Sequence, residues 1–240
     1  MQEAILPTDL SISSMLSDSF VLYKPKDIVS GDFYWFEKKN DSILFAAVDC
    51  TGHGVPGAFM SIVGYNLLNQ AVNEKGLNKP SDILNELNRG ITKTLKQRAD
   101  ESVVQDGMDI ALCSINKTKT KLEFSGAYNS LWLIREGVLI EYKAEKHPIG
   151  VFIGEDIKQF SNQEIELKAG DSIYIYTDGY ADQFGGPKGK KYKYKQLQQL
   201  LLEISSLSME NQKEKLDASI ELWKGQLEQV DDILVIGIKI

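Results

Sequence analysis

The sequence predicts an α+β fold with largely antiparallel sheets. Three observations carry this. Short β-rich runs joined by hairpin-length connections fill two long stretches of the chain, two pairs of helical segments interrupt them, and the chain closes on the buried-looking run ILVIGIKI. The order is strands, two helices, strands, two helices, strand, which is not the alternation of a βαβ series. At 240 residues, with 42% hydrophobic and 25% charged residues, the chain has the material for one large core rather than a disordered ensemble.

Each element has a local signature. Residues Gln2 to Leu6 read as the tail of a helix stopped by Pro7, which suggests a longer protein with an upstream segment. Phe20 to Tyr23, Phe33 to Phe36 and Ser42 to Val48 are short, aromatic or β-branched runs bounded by Asp, Asn and Gly. Val55 to Val72 reads as a helix opened by Pro56, with Phe59, Val63, Leu67 and Ala71 near helical period and Gly57, Ser61 and Gly64 as a second, small-residue stripe. A second helix follows Pro80, with Ser81 as its N-cap and Ile83, Leu87, Ile91 and Leu95 on one face. From Asp109 to Tyr142 four strands follow, then EIEL (164–167) and SIYIYT (172–177) around the turn Ala169-Gly170-Asp171. Helices resume from Tyr194 to Ile204 and after a Ser208 cap, the latter carrying Leu216, Ile220, Trp223 and Leu227.

Composition excludes several classes. A net charge of -7 argues against general nucleic-acid or anionic-membrane binding. No apolar run approaches the ~20 residues of a membrane helix, and MQEAILPTDL lacks the regions of a signal peptide. Cys50 and Cys113 lie far apart with no CxxC pairing, so neither a disulfide framework nor a zinc site is indicated, and a reducing cytoplasmic setting fits.

The informative residues are acids at strand ends. Asp49 follows ILFAAV and precedes CTGHG, Asp178 follows SIYIYT and precedes Gly179, Asp231 and Asp232 open ILVIGIKI, and Asp32 opens FYWF after Ser30-Gly31. Each alone is an ordinary turn residue. Asp49 and Asp178 sit at the carboxyl ends of their strands and Asp32 and Asp231 at the amino ends, so antiparallel pairing would bring all four to one edge. Acids gathered there repel unless divalent cations hold them together. The spacing does not fit an EF-hand, which packs its ligands into a loop of about twelve residues.

The ordered segments SGDFY, AVDCTGHGVPGAFMS, DGMDIALCSI, FSGAYNSLWL, YTDGYADQFGG and DDILVIGIKI resemble the metal-dependent (PPM, type 2C) protein phosphatases, most of all the bacterial branch typified by the stage II sporulation protein E phosphatase domain. The resemblance runs from about residue 18 to residue 240. It implies a four-layer α-β-β-α sandwich with a binuclear metal site at one edge. Asp49 would bridge two Mn²⁺ or Mg²⁺ ions, the Cys50 carbonyl would add a ligand, Asp32, Asp178 and Asp231 would complete the shell with waters, and Asp232 would sit beside it. The implied reaction is in-line hydrolysis of phosphoserine or phosphothreonine by a metal-activated water.

Departures from the pattern matter too. Relatives among the eukaryotic enzymes grip phosphate with an arginine, where KPKDIVSGD offers only Lys24 and Lys26. Tyr128 stands about where many relatives carry an aspartate for a third ion; Asp109 is either a substitute ligand or a strand-opening residue. His53 is either a general acid or a turn residue, and His147 is read as structural. The segment Gln183 to Lys195, with Lys188, Lys190, Lys191 and Lys193 beside Tyr192 and Tyr194, reads as a solvated loop, a substrate flap or, least readily, a single-strand nucleic-acid contact.

The combined expectation is a single catalytic domain over residues 1–240, with residues 1–7 ending an upstream regulatory helix. The implied substrate is an anti-sigma-factor-antagonist-like domain. The implied regulation is through an upstream sensor and a homodimer formed by the N-terminal helix, in the cytoplasm, without nucleic acid or membrane insertion. The rivals are a catalytically weak binding module of the same fold and a small-molecule phosphomonoesterase.

Overall fold

The computed structural model describes residues 5–52, 54–96, 107–150 and 158–240, the side chains of 95 and 96 excepted. Helix α1 (Asp9–Met15), capped by Thr8 through its hydroxyl to the Ser11 N–H, leads into β1 (Ser19–Lys24), β2 (Phe33–Lys39) and β3 (Ser42–Cys50). Helices α2 (Gly54–Asn69) and α3 (Pro80–Lys96) come next, joined through a π-helical turn at Gln70–Glu74. Then follow β4 (Met108–Asn116), β5 (Lys121–Ala127), β6 (Leu131–Arg135), β7 (Val138–Tyr142), β8 (Gln163–Glu166) and β9 (Ser172–Tyr176). The short helix α4 (Gly179–Asp182) and the two-residue strands β10 (Phe184–Gly185) and β11 (Lys190–Lys191) precede α5 (Tyr194–Ile204), α6 (Met209–Lys224) and β12 (Ile233–Lys239).

Two five-stranded sheets result, in the orders β1-β12-β9-β6-β7 and β2-β3-β4-β5-β8, with every pairing antiparallel. The inner faces meet in a buried apolar layer that includes Phe45, Phe124, Leu133, Ile175 and Ile236. The opposite face of the second sheet packs against α2 and α3 through Phe33, Trp35, Leu68, Leu87 and Ile91. The opposite face of the first packs against α5 and α6 through Trp132, Tyr174, Leu201, Leu216 and Val235. Both faces of each sheet are therefore covered, which is why central strands such as β12 read as unbroken apolar runs rather than alternating ones. This is the four-layer α+β sandwich the sequence predicted. Among the described residues no helix is long and apolar enough to cross a membrane.

The helix tail expected over Gln2 to Leu6 falls mainly outside the described residues, and the first described helix starts two residues after Pro7. Three local expectations are corrected. Helix α2 buries its small-residue stripe, Gly57, Ser61 and Gly64, as the close approach to a sheet expected of it requires, but Phe59 of the apolar stripe is 63% exposed. Size decides this: a Cβ on Gly57 would strike the Gly52 carbonyl oxygen and stand 2.9 Å from the Gly31 Cα, so only glycine lets the helix approach this closely. Ser81 is the second residue of α3, behind Pro80, whose fixed φ suits the first helical position. Leu227 lies beyond α6 and is half-exposed.

Candidate metal centre

Strand pairing brings the acids together. Asp49 and Asp109 face each other across β3 and β4, and Asp32 immediately precedes β2, whose Phe33 pairs with Val48. On the other sheet, Asp178 leaves the end of β9 while Asp231 enters β12, its antiparallel neighbour. A Cβ on Gly179 would collide with the Asp232 carbonyl, so the glycine after Asp178 is what lets the two chain segments close up. Gly31 has the same function opposite: its Cβ would lie 2.9 Å from the Cys50 carbonyl oxygen and would strike that of Gly52.

The electrostatics record the crowding. Burial, and then Asp49, push the Asp32 carboxyl well above the usual range, opposed by a hydrogen bond from Thr177. Burial, followed by Asp178, Asp109 and Asp231, does the same to Asp49, which is within hydrogen-bonding reach of both Asp32 and Asp178. Asp109 is pushed up to about 7 by burial and then by Asp178. Asp178 is pushed up to about 6 by burial and then by Asp231 and Asp182, with Lys191 acting against them. Carboxylates this close resist ionising together, and a divalent cation between them reverses that preference.

The oxygen-only set fits such ions. Asp32 is 2% exposed, and its Oδ2 is buried with no hydrogen-bond partner. That orphaned acceptor is what a hard cation would satisfy. Among the described residues no three His, Cys, Asp or Glu side chains are grouped tightly enough to hold an ion unaided, so the shells would need water and backbone oxygens as well.

Other expected residues stand as follows. Asp232 is fully engaged with the backbone: Oδ1 accepts from the Lys26 N–H at 2.8 Å, and Oδ2 accepts from Gly31 at 2.8 Å and Asp32 at 3.4 Å. Lys24, one of the two lysines that stand where relatives carry a phosphate-gripping arginine, is bound to Asp217 at 2.5 Å and Glu221 at 2.8 Å on α6. The lysine segment folds back as the β10–β11 hairpin, with Lys191 bonded to Asp182 at 2.7 Å, while Lys188, Lys190 and Lys191 are exposed. His53 lies outside the described residues. His147 packs its ring on Phe160 at 4.5 Å, as a structural residue does. Cys50 is buried and its thiol is pushed up by burial and then by Asp49, which removes it as a nucleophile.

Two contributors had no clear sequence signal. Thr177 is buried and hydrogen-bonds both Asp32 and, through its hydroxyl, the Leu234 N–H at 3.1 Å, linking the two sheets at the site. Gln183 is buried and braces the segment before Asp231: its Nε2 donates to the Glu228 carbonyl at 3.0 Å and its Oε1 accepts from the Val230 N–H at 3.2 Å.

Comparison with known proteins agrees with this fold. Residues 39–240 match the family described as Stage II sporulation protein E (SpoIIE). The chain is 26% identical over 186 residues to the phosphoserine phosphatase RsbU of Bacillus subtilis, a match covering 76% of this chain and 51% of that protein; the chain thus spans about half the length of that relative. It is similar to the SiaA-PP2C domain of Pseudomonas aeruginosa, with 31% identity and a TM-score of 0.89 over 100% of this chain and 92% of that one. The solved PP2C phosphatase domain and regulatory fragment of SpoIIE from Bacillus subtilis superposes with a TM-score of 0.71 at 18% identity, covering 93% of this chain and 63% of that one. The sandwich, the edge of gathered carboxylates and the match over most of its length together place the chain in the Stage II sporulation protein E family of PP2C-type phosphatase domains.

Proposed function

We propose that this domain removes phosphate from phosphoserine or phosphothreonine on a signalling protein, using two Mn²⁺ or Mg²⁺ ions. The observation that carries the reading is the five-carboxylate edge drawn from both sheets, with the Asp32 Oδ2 buried and unpartnered. The family is metal-dependent. Asp49, central to the set, would bridge the ions; the Cys50 carbonyl, Asp32, Asp178 and Asp231 would supply further oxygens, and Asp109, facing Asp49, is a further ligand candidate. When bound, the ions supply Lewis acidity toward a phosphoryl group and an attacking water.

The chain's own residues do the rest. Thr177 and the Asp232 clamp hold Asp32 in place, and Gly31 and Gly179 permit the close approach of the backbone segments that carry the acids. The β10–β11 hairpin stands beside Asp178 through the Lys191–Asp182 ion pair, where its exposed lysines would meet an acidic protein surface. Residues 1–240 are read as one catalytic domain. By the family resemblance, the substrate would be an anti-sigma-factor-antagonist-like domain, with control by an upstream sensor and a homodimer formed by an N-terminal helix.

The test is turnover of a phosphoserine protein and of para-nitrophenyl phosphate with and without Mn²⁺. Activity on both that requires the ion is expected, and full activity after exhaustive chelation would defeat the reading. Turnover of small phosphoesters alone would favour the phosphomonoesterase.

A further inference from the structure

A cavity of about 190 Å³ lies where β5 turns into β6, lined by Tyr128, Asn129, Trp132, Tyr176, Tyr194 and Gln198 among others. It flanks the carboxylate edge. Ala127, at the end of β5, pairs with Ile110 beside Asp109, and Tyr176 ends β9 two residues before Asp178. The Tyr194 hydroxyl is pushed up first by burial and then by Asp178 and Asp182, which places it within their field.

The walls are aromatic and mutually braced. Trp132 and Tyr176 have ring centroids 4.1 Å apart, and Tyr194 stands 5.6 Å from Tyr176 and edge-on to Trp132 at 6.1 Å. The turn that closes the cavity is fixed by its backbone: the Tyr128 N–H donates to the Glu145 carbonyl at 2.9 Å, and Tyr128 sits at φ 55, in the left-handed region that non-glycine residues seldom occupy. That kink leaves the Tyr128 ring 53% exposed while the next residue, Asn129, is only 6% exposed.

The Asn129 Nδ2 is buried with no hydrogen-bond partner. A buried amide donor without an acceptor is costly, and native folds keep few of them. Asn129 is itself one of the residues lining the cavity, and a ligand's acceptor is the simplest complement to its orphaned donor. The acceptor is neutral: among the described residues no lysine or arginine lines the cavity, and the Glu141 carboxylate does.

Resting on the phosphatase reading above, we propose that this cavity is a substrate subsite for the peptide segment beside the phosphorylated residue. Asn129 Nδ2 donates to a main-chain carbonyl oxygen, and the flat peptide unit lies against Tyr176, Tyr194 and Trp132. The cavity is too small for a folded element and large enough for a peptide unit or one side chain. Every phosphoprotein carries such a carbonyl next to its phosphoserine, whereas an aryl phosphate carries none.

The experiment compares a phosphoserine pentapeptide with para-nitrophenyl phosphate, both with Mn²⁺, for the parent, Asn129→Leu and Gln198→Trp. Leucine has nearly the shape of asparagine and removes the orphaned donor, so its melting temperature should be unchanged or higher. Its kcat/KM on the peptide should fall about tenfold, with para-nitrophenyl phosphate turnover within twofold of the parent. Gln198→Trp, which narrows the cavity from α5, should give the same selective loss and covers the case in which Asn129→Leu fails to fold. Equal loss on both substrates, or no loss on the peptide in either variant, would overturn the subsite while leaving the phosphatase reading standing. A parent inactive on both substrates would overturn that reading, and the subsite with it.

Discussion

The Asp232 carboxylate receives the N–H of Gly31 at 2.8 Å, a bond between residues 201 positions apart. With the bonds from Lys26 and Asp32, it makes Asp232 a clamp on the loop that leads into β2. Asp231 and Asp232 are adjacent yet have different work: the first joins the acidic edge, and the second holds the opposite sheet's Asp32 against it.

An amide at position 232 can accept only on one side and turns a donor toward the remaining N–H groups. Asp232→Asn should therefore weaken Mn²⁺ binding by about 10–100-fold, as removal of outer partners of metal ligands commonly does. Calorimetric titration with Mn²⁺ reads this directly, and kcat at saturating metal should fall far less. Unaltered Mn²⁺ affinity would reduce the clamp to a folding role.

Asp49 stands between acids of both sheets. Asp49→Asn should lower kcat roughly 10³-fold or more, about 4 kcal/mol at the transition state. Its metal-free melting temperature should hold or rise, because one source of repulsion among Asp32, Asp178 and Asp231 is gone. Kinetics at saturating metal and melts in chelator check both halves; wild-type kcat would exclude a bridging role.

Metal-free stability should fall as pH rises. Asp109 is raised from 3.8 to about 7, by burial and then Asp178, and Asp178 from 3.8 to about 6, by burial and then Asp231. Across that window the folded protein keeps protons that the unfolded chain has released, so the contribution is complete below the unfolded value and lost above the folded one. Melts in chelator from pH 5 to 7.5 should show the decline, a shallower one in Asp109→Asn, and its reversal by Mn²⁺. A flat wild-type profile would contradict the crowding.

The exposed lysines of the β10–β11 hairpin should matter for proteins and not for small esters. Replacing Lys188, Lys190 and Lys193 with alanine should lower kcat/KM several-fold on an acidic phosphoprotein, with the effect shrinking as salt increases. Lys191 is left in place because its bond to Asp182 also steadies the site. Insensitivity to salt would remove the electrostatic account.

Strands that end in acids were the most legible parts of the chain, because an apolar run closed by Asp constrains both burial and chain direction; β3 with Asp49 and β9 with Asp178 are the cases. Helix α2 was legible as a helix and its small-residue stripe marked the close-packed face, but periodicity alone also marks Phe59, which stands exposed. The clamp by Asp232 left no local trace, because its partners are backbone N–H groups about two hundred residues away. The partners of Lys24 were hidden for a related reason: its proximity to Asp32 in sequence says nothing of Asp217 and Glu221 on a distant helix. Asn129 reads as ordinary turn composition, and only its burial without a partner distinguishes it.

Asp32, Asp49 and Asp109 ride on one sheet, while Asp178 and Asp231 ride on the other. Neither half of the sandwich owns the acidic edge. One half draws on both ends of the sequence, since β1 and β12 pair in its sheet, while β2, next to β1 in sequence, opens the other. The alignment of the two sheets therefore sets the distance between like charges, much as the gap of a vice is set by jaws mounted on separate arms. Whatever slides one layer by a fraction of an ångström alters the spacing of the acids without touching any of them.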